Sequence, residues 1–172
     1  MGVFDESKCD CCVCPMQCVM EQLVGEEIGL DTSSGSNISV FLNEVKNFIA
    51  FTDQGNFPIC NITFVLPSET FSLDLKPIKK NKGECACCED PITNLAESMI
   101  GEIVIIELIG FGQSEVVRIV DVGEGIIILG NPVGAETVAV SSCFTTRIIP
   151  AASSVSLSER TNSSFWNREL KK

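Results

Sequence analysis

Ten cysteines, with no histidine and no tyrosine, set the chemistry open to this chain. Five thiols crowd into one short stretch: Cys9, Cys11, Cys12, Cys14 and Cys18. A second group holds Cys85, Cys87 and Cys88, while Cys60 and Cys143 stand apart. Thiolates serve as nucleophiles, metal ligands and disulfide precursors. Without histidine the commonest general base is missing, and so are mixed Cys/His zinc sites and the Cys–His nucleophile pair. No grouping of carboxylates or hydroxyls replaces them, so the chain is expected not to be an enzyme.

Two uses of the thiols remain. Cys9/Cys12 and Cys11/Cys14 are overlapping C-x2-C pairs, and four such thiolates suit tetrahedral zinc. The second group is one ligand short unless Cys143 or a neighbouring chain contributes. An iron–sulfur cluster wants a different spacing, and a thioredoxin-like pair should open a helix after a strand. Covalent assembly is the other use. The adjacent pairs Cys11-Cys12 and Cys87-Cys88 are poorly placed to bond each other, but they can bond in two directions and so link subunits. Each bridge contributes ~2–4 kcal/mol by restricting the unfolded chain. All ten thiols are therefore candidates for cross-linking, with no cofactor. Zinc held by Cys9, Cys11, Cys12 and Cys14 is the alternative. Cys60 and Cys143 read equally as small buried residues or as acceptors of a thiol from a head.

The elements that position these thiols are duplicated. A shift of 76 residues superposes Cys9 on Cys85, Cys11 on Cys87, Cys12 on Cys88, Pro15 on Pro91, Glu21 on Glu97, Gly25 on Gly101 and Glu26 on Glu102. Cys14 and Cys18 have no counterpart: Asp90 and Asn94 stand there. Ungapped self-similarity of this kind marks an internal repeat. Each proline suits a first helical turn. Met16, Val19, Met20 and Leu23 then form an apolar stripe, matched by Ile92, Leu95, Ala96 and Met99. Gly25 and Gly101 sit where a helix ends in a left-handed cap.

Short β-type segments follow each glycine. In the first half they fall near residues 26–31, 38–45, 48–52, 58–62 and 64–66. In the second they fall near residues 102–108, 115–122, 125–129, 136–140 and 145–149. Cys60 precedes Pro67 as Cys143 precedes Pro150, now at a shift of 83, so the second copy carries about seven extra loop residues. The pattern predicts a mainly β chain of two tandem five-stranded SH3- or Sm-like barrels, each preceded by a Cys-rich head and short helix. The expected layout is an arm, helix and first barrel over 1–67, a linker over 68–84, a second head, helix and barrel over 85–150, and a Ser-rich tail over 151–172.

Composition narrows the partners. The chain is 45% hydrophobic, enough for a packed core. Its net charge of −11 argues against a nucleic-acid surface, which needs clustered Lys and Arg. No apolar run reaches the ~18 residues of a membrane helix, and the first residues resemble no secretory signal. No membrane partner is expected, and synthesis in a cytoplasm is. A Cys-rich protein made there either holds a metal through its thiols or matures in an oxidising place reached without secretion.

The stretch Gln22-Leu23-Val24-Gly25-Glu26-Glu27-Ile28-Gly29-Leu30-Asp31-Thr32, followed by a Ser/Gly turn, resembles the Sm-like domain of spore-coat proteins. So does Met99-Ile100-Gly101-Glu102-Ile103-Val104-Ile105-Ile106. The Cys9 to Cys18 head is similar to those of cysteine-rich coat and exosporium proteins of Bacillus-type spore formers. The resemblance covers about residues 9–67 and 85–150. It implies a structural protein made in the mother-cell cytoplasm and deposited on the spore surface. There it would associate with itself and with other Cys-rich surface proteins through intermolecular disulfides. A zinc-binding adaptor is the alternative. An Sm-type RNA-binding role comes third, opposed by the charge and by the lack of Arg- or Asn-containing loop motifs.

Overall fold

The computed structural model describes residues 13–35, 37–68, 72–80, 82–83, 87, 89–111 and 114–151. The first half holds helix α1 (Val13–Gln22) and strands β1 (Glu27–Thr32), β2 (Asn37–Lys46), β3 (Ile49–Thr52), β4 (Gly55–Pro58) and β5 (Ile62–Pro67). The second holds helix α2 (Asp90–Glu97) and strands β6 (Ile103–Leu108), β7 (Ser114–Gly123), β8 (Ile126–Gly130), β9 (Thr137–Ser141) and β10 (Thr145–Pro150). A single 3-10 turn precedes the last strand of each half, at Ile59–Asn61 and Ser142–Phe144.

The two halves repeat down to the register. Leu30 faces Val65 across β1 and β5, and Ile106 faces Ile148 across β6 and β10. The bulge between Leu42 and Glu44 recurs between Ile119 and Asp121. Gly25 and Gly101 both take positive φ, at 95° and 89°, and each donates its N–H to the middle of the second strand, to Leu42 and Ile119. The growing shift is thereby located. One extra residue lies between β6 and β7, and the rest lie between β8 and β9, where Gly130 and Thr137 are the closing pair. The equivalent hairpin closes at Thr52 and Gly55 over Asp53 and Gln54 alone. That tight turn corrects the expected fourth strand: it runs Gly55–Pro58, and residues expected at its end form the 3-10 turn.

Two closed barrels are not what forms. All ten strands belong to one open antiparallel sheet in the order β10-β6-β7-β8-β9-β5-β1-β2-β3-β4. The joint is a short ladder pairing Phe64 with Val140 and Val65 with Ala139. The free edge of β5 goes to the other half, so the halves fuse side by side. Sequence periodicity marks strands but does not say which edge meets which.

The core is likewise shared across that seam. One cluster joins Met16, Val19 and Met20 of α1, with Leu23 just after it, to the first-half strands and also to Ile126, Ile128 and Ala139 of the second half. The other is built on the second half but takes Phe64 from β5, whose ring meets Phe111 edge-on at 5.6 Å. β8 therefore buries both faces, Ile127 and Leu129 inward and Ile126 and Ile128 across the seam. An unbroken apolar run suits a strand covered on both sides.

Residues 72–80 lie as a strap over the same seam. Gln22 holds the backbone of Asp74 through two hydrogen bonds, at 3.0 and 2.8 Å. Glu124 donates its N–H to Lys76 at 2.8 Å, and its carboxylate pairs with Lys79 at 2.6 Å. Leu73 and Leu75 pack on the first core. The close approach needs a glycine: a Cβ on Gly123 would lie 2.6 Å from that of Leu75.

Candidate functional site

Cys9, Cys11, Cys12, Cys85 and Cys88 lie outside the described residues, so the expected C-x-C-C heads and the four-thiolate zinc set are not placed. The remaining five thiols divide by environment. Cys14 is buried on α1 and Cys143 half-buried in the second 3-10 turn, and both are disulfide-bonded. Cys18, Cys60 and Cys87 are free thiols.

Cys60 and Cys87 are exposed. Cys60 sits in the 3-10 turn after β4, an edge strand of the sheet, where its sulfur makes a weak contact with the Asn61 side chain at 3.9 Å. It is therefore not the buried apolar residue that sequence allows. Although Cys60 and Cys143 occupy equivalent turns, one is open to solvent and the other already bonded.

Cys18 is half-buried in a crevice lined by Pro15, Val19, Lys76 and Glu124. Burial pushes its thiol above the ordinary range. The Lys76 ammonium opposes that shift by charge and hydrogen bond, while Glu21 and Glu124 add to it. A thiol held protonated is a poor nucleophile, and Cys18 is also the one of the three that is not exposed. Among the described residues no group of three or more Cys, Asp or Glu side chains comes close enough to hold a metal ion. No described helix is long and apolar enough to cross a membrane.

A second kind of site is a set of open flanks: open strand edges are what the sequence leads one to expect, whereas the exposed apolar residues beside them are not. Leu95, Ile100 and Phe41 are large exposed apolar residues, and β4 and β10 are the sheet's two outer strands. The signal was present: Leu95 is the counterpart of Val19 on the helix stripe. What sequence lacked was any sign that one is covered and the other not. An apolar cavity of about 290 Å³ opens beside the internal seam among Pro67, Leu73, Val120, Ile128 and Val138.

Comparison with known proteins finds no matching family model, no matching curated protein and no matching solved structure.

Proposed function

We propose that this chain is a non-enzymatic structural protein that associates with itself and is then locked by intermolecular disulfides. The supporting observation is that Cys60 and Cys87, one in each half, are exposed free thiols. Two such thiols per chain suffice for chain-to-chain bridging without unfolding either half. Each bridge joins two thiols as S–S and releases two protons and two electrons, taken up by dioxygen, which leaves as hydrogen peroxide. In this reading each half is an Sm-like unit: helix, then strands in the order β5-β1-β2-β3-β4, with the outer edges left for assembly. The setting is a spore surface, in the coat or exosporium, with other Cys-rich surface proteins as further partners. It rests on the likeness of the Cys-rich head and of the Gln22 to Thr32 stretch to such proteins. Synthesis in a reducing mother-cell cytoplasm, followed by exposure to air, would keep the thiols apart until the subunits are in place.

Denaturing electrophoresis with and without reductant, beside metal analysis of the same sample, tests this. High-mass ladders that collapse on reduction, and that shorten in Cys60→Ser with Cys87→Ser, are expected. A metal-loaded monomer without a reductant-sensitive ladder would leave the zinc adaptor as the better account.

A further inference from the structure

The internal seam between the halves has counterparts of its parts on the outer flanks of the molecule. Three layers make it: the ladder of β5 with β9, the packing of Ile126, Ile128 and Ala139 against the α1 core, and the strap of residues 72–80 over both. The repeat assigns each part an equivalent on an outer flank. β5 corresponds to β10 and β9 to β4, so the two sheet edges left open are the counterparts of the two edges that pair internally. Ile126 and Ile128 correspond to Ile49 and Phe51, and α1 to α2.

Burial bears the mark of an absent neighbour. Val19 of α1 is 1% exposed, whereas its counterpart Leu95 of α2 is 38% exposed. Pro15 and Met16 are buried, while Pro91 is exposed and Ile92 half-buried. On the other flank Ile49 and Phe51 are half-exposed and belong to neither core, whereas Ile126 and Ile128 are buried. Thus, among the described residues, α2 lacks the covering that α1 receives, and β3 lacks the helix that β8 covers. The two deficits are complementary, and both are apolar.

Resting on the self-association proposed above, we infer that a second copy of this chain docks head-to-tail. The β10 edge and α2 of one copy take the β4 edge and the outer face of β3 of the next. The internal register carries over: Phe64 opposite Val140 becomes Arg147 opposite Phe57, and Val65 opposite Ala139 becomes Ile148 opposite Asn56. At the second of these positions, Ile148 opposite Asn56, both N–H groups point outward. The N–H of Ala151 faces β6 and that of Ile59 faces β3, and strand alternation turns those of Ile148 and Asn56 the other way. Such a contact is heterologous, so it leaves one open edge at each end and propagates, or stops only by closing a ring.

The seam between copies is weaker than the one within. Arg147 replaces Phe64, Asn56 replaces Ala139, and Pro58 offers no N–H where Ser141 has one. Lys46 stands where Gly123 admits the strap. Proline and charge on an edge blunt indiscriminate pairing. They leave a two-residue ladder plus the apolar contact of Leu95 and Ile92 with Ile49 and Phe51. Association is therefore reversible and concentration-dependent, as a building block that is later cross-linked requires.

The test uses the full chain under reductant, with mass measured by sedimentation across a concentration series. Wild type forms dimers and larger species. Leu95→Glu blocks one flank and Phe51→Glu the other; each alone is monomeric, with association weakened ten-fold or more. Mixed, they give one-to-one dimers and nothing larger, because each retains the flank the other has lost. Circular dichroism checks that each variant is folded. Should either fail to fold, amide exchange of wild type reads the same contact, through protection of Asn56 and Ile148 that rises with concentration. A reduced wild type that stays monomeric overturns the inference. So do blocked variants that still dimerise alone, or edge protection independent of concentration, as when the chain's own tail covers β10. Oxidative ladders from a protein monomeric under reductant would leave cross-linking standing and the head-to-tail contact refuted. Reversible association without ladders would do the reverse.

Discussion

α1 and α2 begin with the same proline, carry the same stripe and end at equivalent glycines, yet they live in different surroundings. Six residues of α1 are buried and two of α2. Helix propensity and patterning do not separate them, since both are amphipathic. What separates them is the second half of the chain, which lays Ile126, Ile128 and Ala139 over α1, a covering that no described residue gives to α2. Burial is a property of the neighbour as much as of the residue. A duplicated unit makes this visible because sequence equivalence is held while the surroundings change.

The comparison breaks most sharply at the helix stripe. Val19→Asp would put a carboxylate into the shared core and should cost about 4 kcal/mol or more. Leu95→Asp should change the monomer by no more than about 0.5 kcal/mol. Urea unfolding at low protein concentration, under reductant, reads both. Equal losses would mean the halves do not differ as described.

Next comes the seam. Phe64 is buried against Phe111, and Phe64→Ala should cost about 3–5 kcal/mol. Its counterpart Arg147 is exposed and paired with Glu107, so Arg147→Ala should cost under about 1 kcal/mol. Thermal midpoints of the pair check this. The strap gives a smaller contrast: Gly123→Ala forces Leu75 away and should cost about 1–3 kcal/mol. Lys46→Gly, where no described segment crosses, should cost about 1 kcal/mol or less.

Thiol reactivity sharpens the same division. Iodoacetamide at neutral pH should modify Cys60 and Cys87 at least ten-fold faster than Cys18, read by peptide mass, since Cys18 is shielded and held protonated. Comparable rates would place Cys18 on the surface. The smallest effect is on the open edge. A hydrogen bond from Arg147 and then a lesser one from Ser114 hold the Glu107 carboxyl below the ordinary range. A depressed folded-state pKa contributes stability above the unfolded value, and that contribution is lost as pH falls through the folded one. Acid titration of the thermal midpoint should therefore fall slightly more steeply in wild type than in Glu107→Gln. Solvent exposure keeps this effect small.

Much of the fold was legible because repeats and periodicity are local. The β-rich class, nine of the strand positions to within a few residues, both helices and the position of the capping glycines follow from patterning that each segment carries by itself. The fourth strand of the first half was misplaced because Asp53-Gln54-Gly55-Asn56 reads as a long break. The chain instead turns on two residues, with Asp53 accepting the N–H of Phe41 at 2.7 Å. The thiols were legible as a set but not by environment. Nothing about Cys18 in the sequence says that Lys76 lies beside it, and nothing distinguishes Cys60 from Cys143.

The sequence by itself determined the unit: a proline-started helix, five strands and a glycine between them, written twice, with cysteines in excess of any catalytic need. Tertiary structure alone decided how the units meet. The side-chain period of a strand specifies its faces and leaves its two edges equivalent, so pairing β5 with β9 rather than closing two barrels was settled by which apolar surfaces cover one another. That choice buried Phe64, Val19 and Ile126 and left Leu95, Phe51 and the outer edges open. The physical difference between a core residue and a contact surface is therefore the presence of the next copy of the unit.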